Sequence, residues 1–258
     1  GSTYMSNRGM SIVIPAYNEG QSILKMLNAY YQYLVEKKVP FEFVIVPNNC
    51  SDQTPSLCEQ FASGKDNVVV KNIPYYVGKG GAVIEGFKLA KHELVGFVDA
   101  DLATPPASFF DLYTQMSSYD AIFASRWIKG AIISVKQPFS RRVASRGFNA
   151  IVRTLFGLRV KDTQCGAKLF RRDAINTVIP HLDITRWAFD IDLLFHLKRS
   201  EYTMTEIPTV WHEPGDTHLE LKSTIYEMFL AVMRLRLVYS PLKFIVRMYD
   251  KTVGKRKT

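Results

Sequence analysis

The chain has 258 residues, 47% of them hydrophobic, enough to bury one α/β domain with an appendage and too few for two full domains. No run approaches the roughly 18 consecutive apolar residues that cross a bilayer, and the first residues lack the pattern of a secretory signal, so a soluble or peripheral protein is expected. The net charge of +9 is segregated: Ala121 to Lys161 carries nine Lys/Arg and no Asp/Glu, Ser223 to Thr258 carries eight basic and two acidic residues, and the remainder sums to −6.

A mildly acidic body with two basic segments favours an anionic partner at one face; anionic lipid, phosphorylated lipid and nucleic acid all qualify. Cys50, Cys58 and Cys165 stand at spacings that match no zinc template, which disfavours a disulfide framework and fits a reducing cytosol. Gly1-Ser2-Thr3 reads as an expression scar, so a natural anchor beyond either end stays open.

Along the chain, short runs rich in Val, Ile and Phe predict strands at Ser11–Pro15, Phe41–Val46, Val68–Asn72 and Leu94–Val98, each followed by helical spacing. That alternation predicts a parallel sheet wound with helices on both faces. Ligands of such sheets collect beyond the carboxyl ends of the strands. The polar stops there are Pro15-Ala16-Tyr17-Asn18-Glu19, Asn48-Asn49-Cys50-Ser51-Asp52, Gly78-Lys79-Gly80-Gly81 and Asp99-Ala100-Asp101. Beyond Ser125 the alternation lapses into a long basic loop and a helix near Arg142–Phe156. From Ser223 onward apolar and basic residues mix, with Ile225, Met228, Phe229 and Val232 on one helical face, and Pro241 breaks the pattern.

Two carboxylates two residues apart at a strand end repel each other unless a cation lies beside them. A hard ion such as Mg²⁺ or Mn²⁺, shared with diphosphate oxygens, resolves the repulsion at Asp99 and Asp101. An Asp-x-Asp alone is more often a cap or a solvated loop. The glycine cluster follows the third strand rather than the first and has the wrong spacing for a dinucleotide fingerprint, which disfavours a Rossmann oxidoreductase. Glycines before a helix still let backbone N–H groups approach an anion.

Six blocks in order resemble the family-2 glycosyltransferases, and within them the polyprenyl-phosphate sugar synthases. They are Ile14-Pro15-Ala16-Tyr17-Asn18-Glu19, Gly78-Lys79-Gly80-Gly81-Ala82-Val83, Asp99-Ala100-Asp101-Leu102, Ala124-Ser125-Arg126-Trp127, Asp162 to Phe170 and Arg186 to Leu194. The last two are most similar to dolichyl-phosphate β-glucosyltransferases, with dolichyl-phosphate mannose synthases second. The resemblance implies the GT-A fold over residues 8–222, a predominantly parallel Rossmann-like sheet flanked by helices, followed by a basic amphipathic helical segment over 223–258. It implies Pro15, Tyr17, Glu19, Asn48, Gly80, Asp99, Trp187 and His218 for the nucleotide sugar, and Asp99 and Asp101 for Mg²⁺ or Mn²⁺. Arg126, Arg142, Ser145 and Arg146 would gather the acceptor phosphate.

The chain departs from the pattern at Asn48, where Asp is usual, at Ala103, where Gln is common, and at His218, where many members have Lys. The first departure weakens any choice between uracil and guanine; UDP-glucose is favoured over GDP-mannose from resemblance alone. The implied reaction inverts the anomeric centre, with Asp101, Arg126 and Asp190 as catalytic residues. An alcohol acceptor needs a base, for which Asp190 or Asp192 would serve. A lipid phosphate, with a second pKa near ~6, is already an anion, and Asp190 then orients the substrate. The tail would lie in lipid headgroups at the cytosolic face of the plasma membrane or endoplasmic reticulum, with Phe229, Val232 and Leu235 inward and Arg234, Arg236 and Lys243 towards phosphates, or else pack on the parent domain or a partner subunit. A sugar-hydroxyl acceptor, and a basic nucleic-acid or membrane-binding module without catalysis, stay open as rivals, although no nucleic-acid motif accompanies the charge.

Overall fold

A computed structural model describes residues 8–134, 139–182, 188–213 and 221–253. The first half follows the predicted alternation: β1 (Met10–Ala16), α1 (Ile23–Lys37), β2 (Phe41–Pro47), α2 (Thr54–Ala62), β3 (Val68–Val70), α3 (Gly78–Leu89), β4 (Leu94–Val98), α4 (Pro106–Gln115) and β5 (Ala121–Ser125). Every residue of β1, β2 and β4 is buried, as strands covered on both faces must be. Helix α1 buries Ile23, Met26, Leu27, Tyr30 and Leu34, one stripe at helical spacing. Strand β3 ends at Val70, before the predicted Asn72, because Lys71 and Asn72 are exposed and Pro74 follows.

The second half comprises β6 (Ile132–Ile133), α5 (Phe139–Phe156), β7 (Ala167–Arg171), α6 (Arg172–Val178), a 3₁₀ turn at Ile179–His181, α7 (Phe189–Arg199), β8 (Met204–Pro208), β9 (Val210–Trp211), α8 (Leu221–Val238) and α9 (Lys243–Val253). The main sheet has the order β3-β2-β1-β4-β7-β5-β8. It is parallel except for β7, which pairs antiparallel with both β4 and β5. Strands β6 and β9 form a separate parallel pair. Strand order reverses between β1 and β4, so the crevice beyond their carboxyl ends is the topological switch point where open α/β sheets take ligands.

Of the two arrangements open for the tail, α8 takes the packed one. Val232 and Leu235 are 1% and 0% exposed and belong to the core cluster of α3, α5 and α7, so α8 packs onto the main domain with the face that would otherwise meet the membrane. Its outer side leaves Tyr226, Phe229 and Leu230 exposed, and α9, packed on α8, exposes Phe244, Ile245, Met248 and Tyr249. Among the described residues no helix is long and apolar enough to cross a membrane.

Candidate active site

Two cavities flank the switch point. The first, of about 330 Å³, is lined by residues that include Pro15, Tyr17, Glu19, Asn48, Gly78, Lys79, Asp99 and Asp101. Its walls are laced together at the strand ends. Asn18, with φ of 49°, accepts the Ser51 N–H on its Oδ1 at 2.8 Å. Asp52 accepts the Gly20 N–H on Oδ2 at 2.9 Å, and the Thr54 N–H and hydroxyl on Oδ1 at 2.9 and 2.6 Å. Burial works against this carboxylate, yet the bonds from Thr54 and Gly20 hold it below its usual range. The loop carrying Tyr17 and Glu19 is therefore fixed to the loop after β2, while the Tyr17 ring itself stays 56% exposed, free to lie against a planar group.

Asp99 and Asp101 extend from β4 into the same cavity. Gly166 accepts the Asp99 N–H at 3.0 Å, and a Cβ at Gly166 would overlap Asp99 Oδ2, so only glycine leaves room for that carboxylate. Asp101 accepts the Ala103 N–H at 3.0 Å across Leu102, which holds a left-handed φ of 59°. Burial and the Asp99 charge push Asp101 up to about 6. Asp99 is countered by Lys79 Nζ at 2.7 Å. Among the described residues no three His, Cys, Asp or Glu gather into a metal cage. Two carboxylates in one pocket, one short of countercharge, nonetheless fit Mg²⁺ or Mn²⁺, which usually take one or two protein carboxylates and complete their shell with phosphate and water.

Gly80, expected at the nucleotide sugar, is placed beside α7 in this structure. It is buried and absent from the cavity wall, and a Cβ there would meet Phe189 Cγ at 2.7 Å, so its bareness seats α3 against α7. The cavity is reached instead by Gly78 and Lys79. Trp187 and His218 lie outside the described residues. Tyr76 also lines the wall and was not anticipated.

The second cavity, about 220 Å³, is lined by Arg126, Trp127, Ala131, Ile133, Arg142, Arg146 and Trp211. Arg126 at the end of β5 is forked onto Asp162 by Nε and a terminal nitrogen, both at 2.9 Å, and its backbone N–H reaches the same carboxylate at 2.9 Å. Asp162 is fully buried and the Arg126 side chain is 17% exposed. Burial opposes the guanidinium charge, but Asp162 raises its pKa, so it stays charged. Glu206 on β8 accepts the N–H groups of Lys161 and Asp162 at 2.8 Å each, which fixes the segment bearing that partner. Arg126 lies 5.4 Å from the Trp127 ring centroid and 5.2 Å from that of Trp211; Arg146 lies 5.2 Å from Trp127. Trp127 Nε1 is buried with no hydrogen-bond partner among the described residues, a cost of about 1–3 kcal/mol unless a ligand takes the donor up. Ser145 sits on α5 beside Arg146 without lining the cavity. Trp127, Trp211 and Asp162 were missed as site residues: the basic run drew attention to charge, and neither aromatic follows a spacing rule.

Asp190 and Asp192 diverge from the start of α7. Asp190 Oδ1 accepts from Lys168 Nζ at 2.7 Å; this ammonium, from β7, is fully buried and also donates to Cys165 O at 2.6 Å. Asp192 accepts the Tyr239 hydroxyl at 2.6 Å, away from the crevice. Each carboxylate is thus engaged by a neighbouring side chain.

The fold agrees with comparisons to known proteins. Residues 11–179 match the family described as Glycosyl transferase family 2. A dolichyl-phosphate beta-glucosyltransferase of Saccharomyces cerevisiae is 31% identical over 250 residues, covering 89% of this chain and 75% of that protein. Glycosyltransferase AglD of Haloferax volcanii is 30% identical over 230 residues, 87% of this chain, which spans only 36% of that relative. Glucosyl-3-phosphoglycerate synthase from Mycobacterium tuberculosis, solved with Mn²⁺, UDP-glucose and glycerol 3-phosphate, superposes with a TM-score of 0.67 at 16% identity, over 91% of this chain and 82% of that one. With the GT-A architecture, the six motif blocks and this match over most of its length, the chain belongs to glycosyl transferase family 2.

Proposed function

We propose that the chain transfers glucose from UDP-glucose to a polyprenyl phosphate of the dolichyl type, with inversion, at the cytosolic surface of a membrane. The observation that carries this reading is the pairing of an acidic cavity at the switch point with a second cavity of three arginines and two tryptophans. Its closest support outside the site is the similarity to dolichyl-phosphate beta-glucosyltransferases.

Tyr17 and Pro15 take the base, and Glu19 and Asn48 accept from base or sugar hydroxyls. Mg²⁺ or Mn²⁺ held by Asp99 and Asp101 supplies charge stabilisation for the departing diphosphate. Arg126, Arg142 and Arg146 screen and aim the acceptor phosphate, with the Trp127 indole N–H as a further donor and the two tryptophan faces against the first apolar units of the lipid. Because that phosphate is already an anion near neutral pH, no proton needs removing. Asp190, tied to Lys168, orients the crevice wall. The exposed apolar residues of α9, with Lys243, Arg247 and Lys251 on the same short helix, suit the headgroup region of an anionic membrane.

The test supplies UDP-glucose or GDP-mannose with Mn²⁺ and a short polyprenyl phosphate, and follows sugar in the lipid product. Transfer from UDP-glucose that is lost in Arg126→Ala and persists in folded Asp190→Asn supports the proposal. Transfer only to a sugar hydroxyl, abolished by Asp190→Asn, would overturn it.

A further inference from the structure

Lys79 is paired with one of the two carboxylates proposed above to hold the divalent ion. Its Nζ stands 2.7 Å from Asp99 Oδ1, with the two side chains 35% and 37% exposed, and both residues line the donor cavity. The Phe97 ring lies 5.3 Å from the ammonium and blocks retreat into the core. Nor can Asp99 turn aside, since its other oxygen fills the space left by the missing side chain of Gly166. A metal ion sharing Oδ1 would meet the Lys79 ammonium on the same carboxylate, where the two like charges repel each other.

Where the ammonium goes next decides the energetics. Asp190 is already engaged by the buried Lys168 amine, and Asp101 would itself be taken up by the metal. A nucleotide diphosphate brings several negative oxygens into the same cavity and gives the displaced ammonium a new partner. We infer that Lys79 is a tethered cation that competes with the divalent ion for Asp99 and is released onto the diphosphate, so that metal and nucleotide bind as a set. This rests on Asp99 and Asp101 being the metal pair. Linkage requires the coupling to be mutual: nucleotide strengthens metal binding by the same factor that metal strengthens nucleotide binding.

The experiment titrates Mn²⁺ into the full chain and reads free Mn²⁺ by electron paramagnetic resonance, with and without UDP. It compares wild type with Lys79→Met, which keeps the stem but not the charge, and Lys79→Arg, which keeps the charge. Melting temperatures verify that the variants fold. Lys79→Met should bind Mn²⁺ alone at least ~5-fold tighter, and the enhancement of Mn²⁺ affinity by UDP should shrink by a similar factor, about the lower end of usual coupling. Lys79→Arg should retain the wild-type enhancement. Unchanged or weaker binding of Mn²⁺ alone by Lys79→Met, or an unchanged enhancement, overturns the inference while leaving the metal site intact. Failure of the wild type to take up Mn²⁺ even with saturating UDP overturns the metal site, and this inference with it.

Discussion

The Arg126–Asp162 fork is the structural commitment on which the arginine and tryptophan cavity depends. Asp162→Asn keeps the shape of the side chain but replaces one acceptor oxygen with an NH₂ that faces donors, where the carboxylate now receives three bonds of 2.9 Å from Arg126. Breaking a buried pair by removing one partner costs about 3–5 kcal/mol; the lower end applies here, because the Arg126 side chain retains 17% exposure through which water can compensate. At roughly 2–4 °C per kcal/mol for a domain of this size, a loss of about 3 kcal/mol lowers the melting temperature by roughly 6–12 °C. Arg126→Met strands the buried carboxylate and should cost a similar amount. The double variant, with neither charge left uncompensated, should be destabilised by about 2 kcal/mol less than the sum of the single changes. Urea denaturation of the four proteins at one pH gives the coupling energy directly. Additivity within about 0.5 kcal/mol would refute the claim that Asp162 is what holds the guanidinium at the mouth of the cavity.

Gly166→Ala should weaken Mn²⁺-dependent UDP binding at least ~10-fold by calorimetry, equivalent to about 1.4 kcal/mol, because the new methyl displaces the Asp99 carboxylate; unchanged affinity would show that Asp99 is not needed in its present place. His196 is buried beside Tyr239, with its Nε2 2.8 Å from the Tyr239 hydroxyl, and burial, aided by Arg199 and His181, lowers its pKa to about 4. The unfolded chain, with a histidine pKa near ~6.5, binds the extra proton first. Stability from this site is therefore present above pH ~6.5 and lost as pH falls towards about 4. Chemical denaturation at pH 7.5 and 5 should show His196→Gln losing less stability on acidification than the wild type; equal losses would count against the assignment.

The strand ends were legible because each rests on a local rule. Apolar runs had to be strands covered on both faces, and the polar residues following them had to face solvent or ligand, which is enough to assemble Pro15, Tyr17, Glu19, Asn48, Asp99 and Asp101 around one crevice. Residues whose meaning depends on a distant partner were not readable in the same way. Lys168 sits in a motif block as one more basic residue, and only the antiparallel insertion of β7 between β4 and β5 buries it against Asp190. Gly80 has the same local signature as Gly78, yet the approach of Phe189 makes it a packing position.

The tail makes the same distinction. Its amphipathic period determines that α8 has an apolar side, but periodicity cannot say whether lipid or protein covers it; the arrangement of α5 and α7 brings a core against Val232 and Leu235 and leaves α9 to present its own apolar face outward. Composition, pattern and strand-end chemistry thus determined the class of fold and the acidic half of the site. Tertiary structure alone decided which charges are paired, because an ion pair such as Arg126–Asp162 joins residues 36 positions apart and no local periodicity encodes that contact.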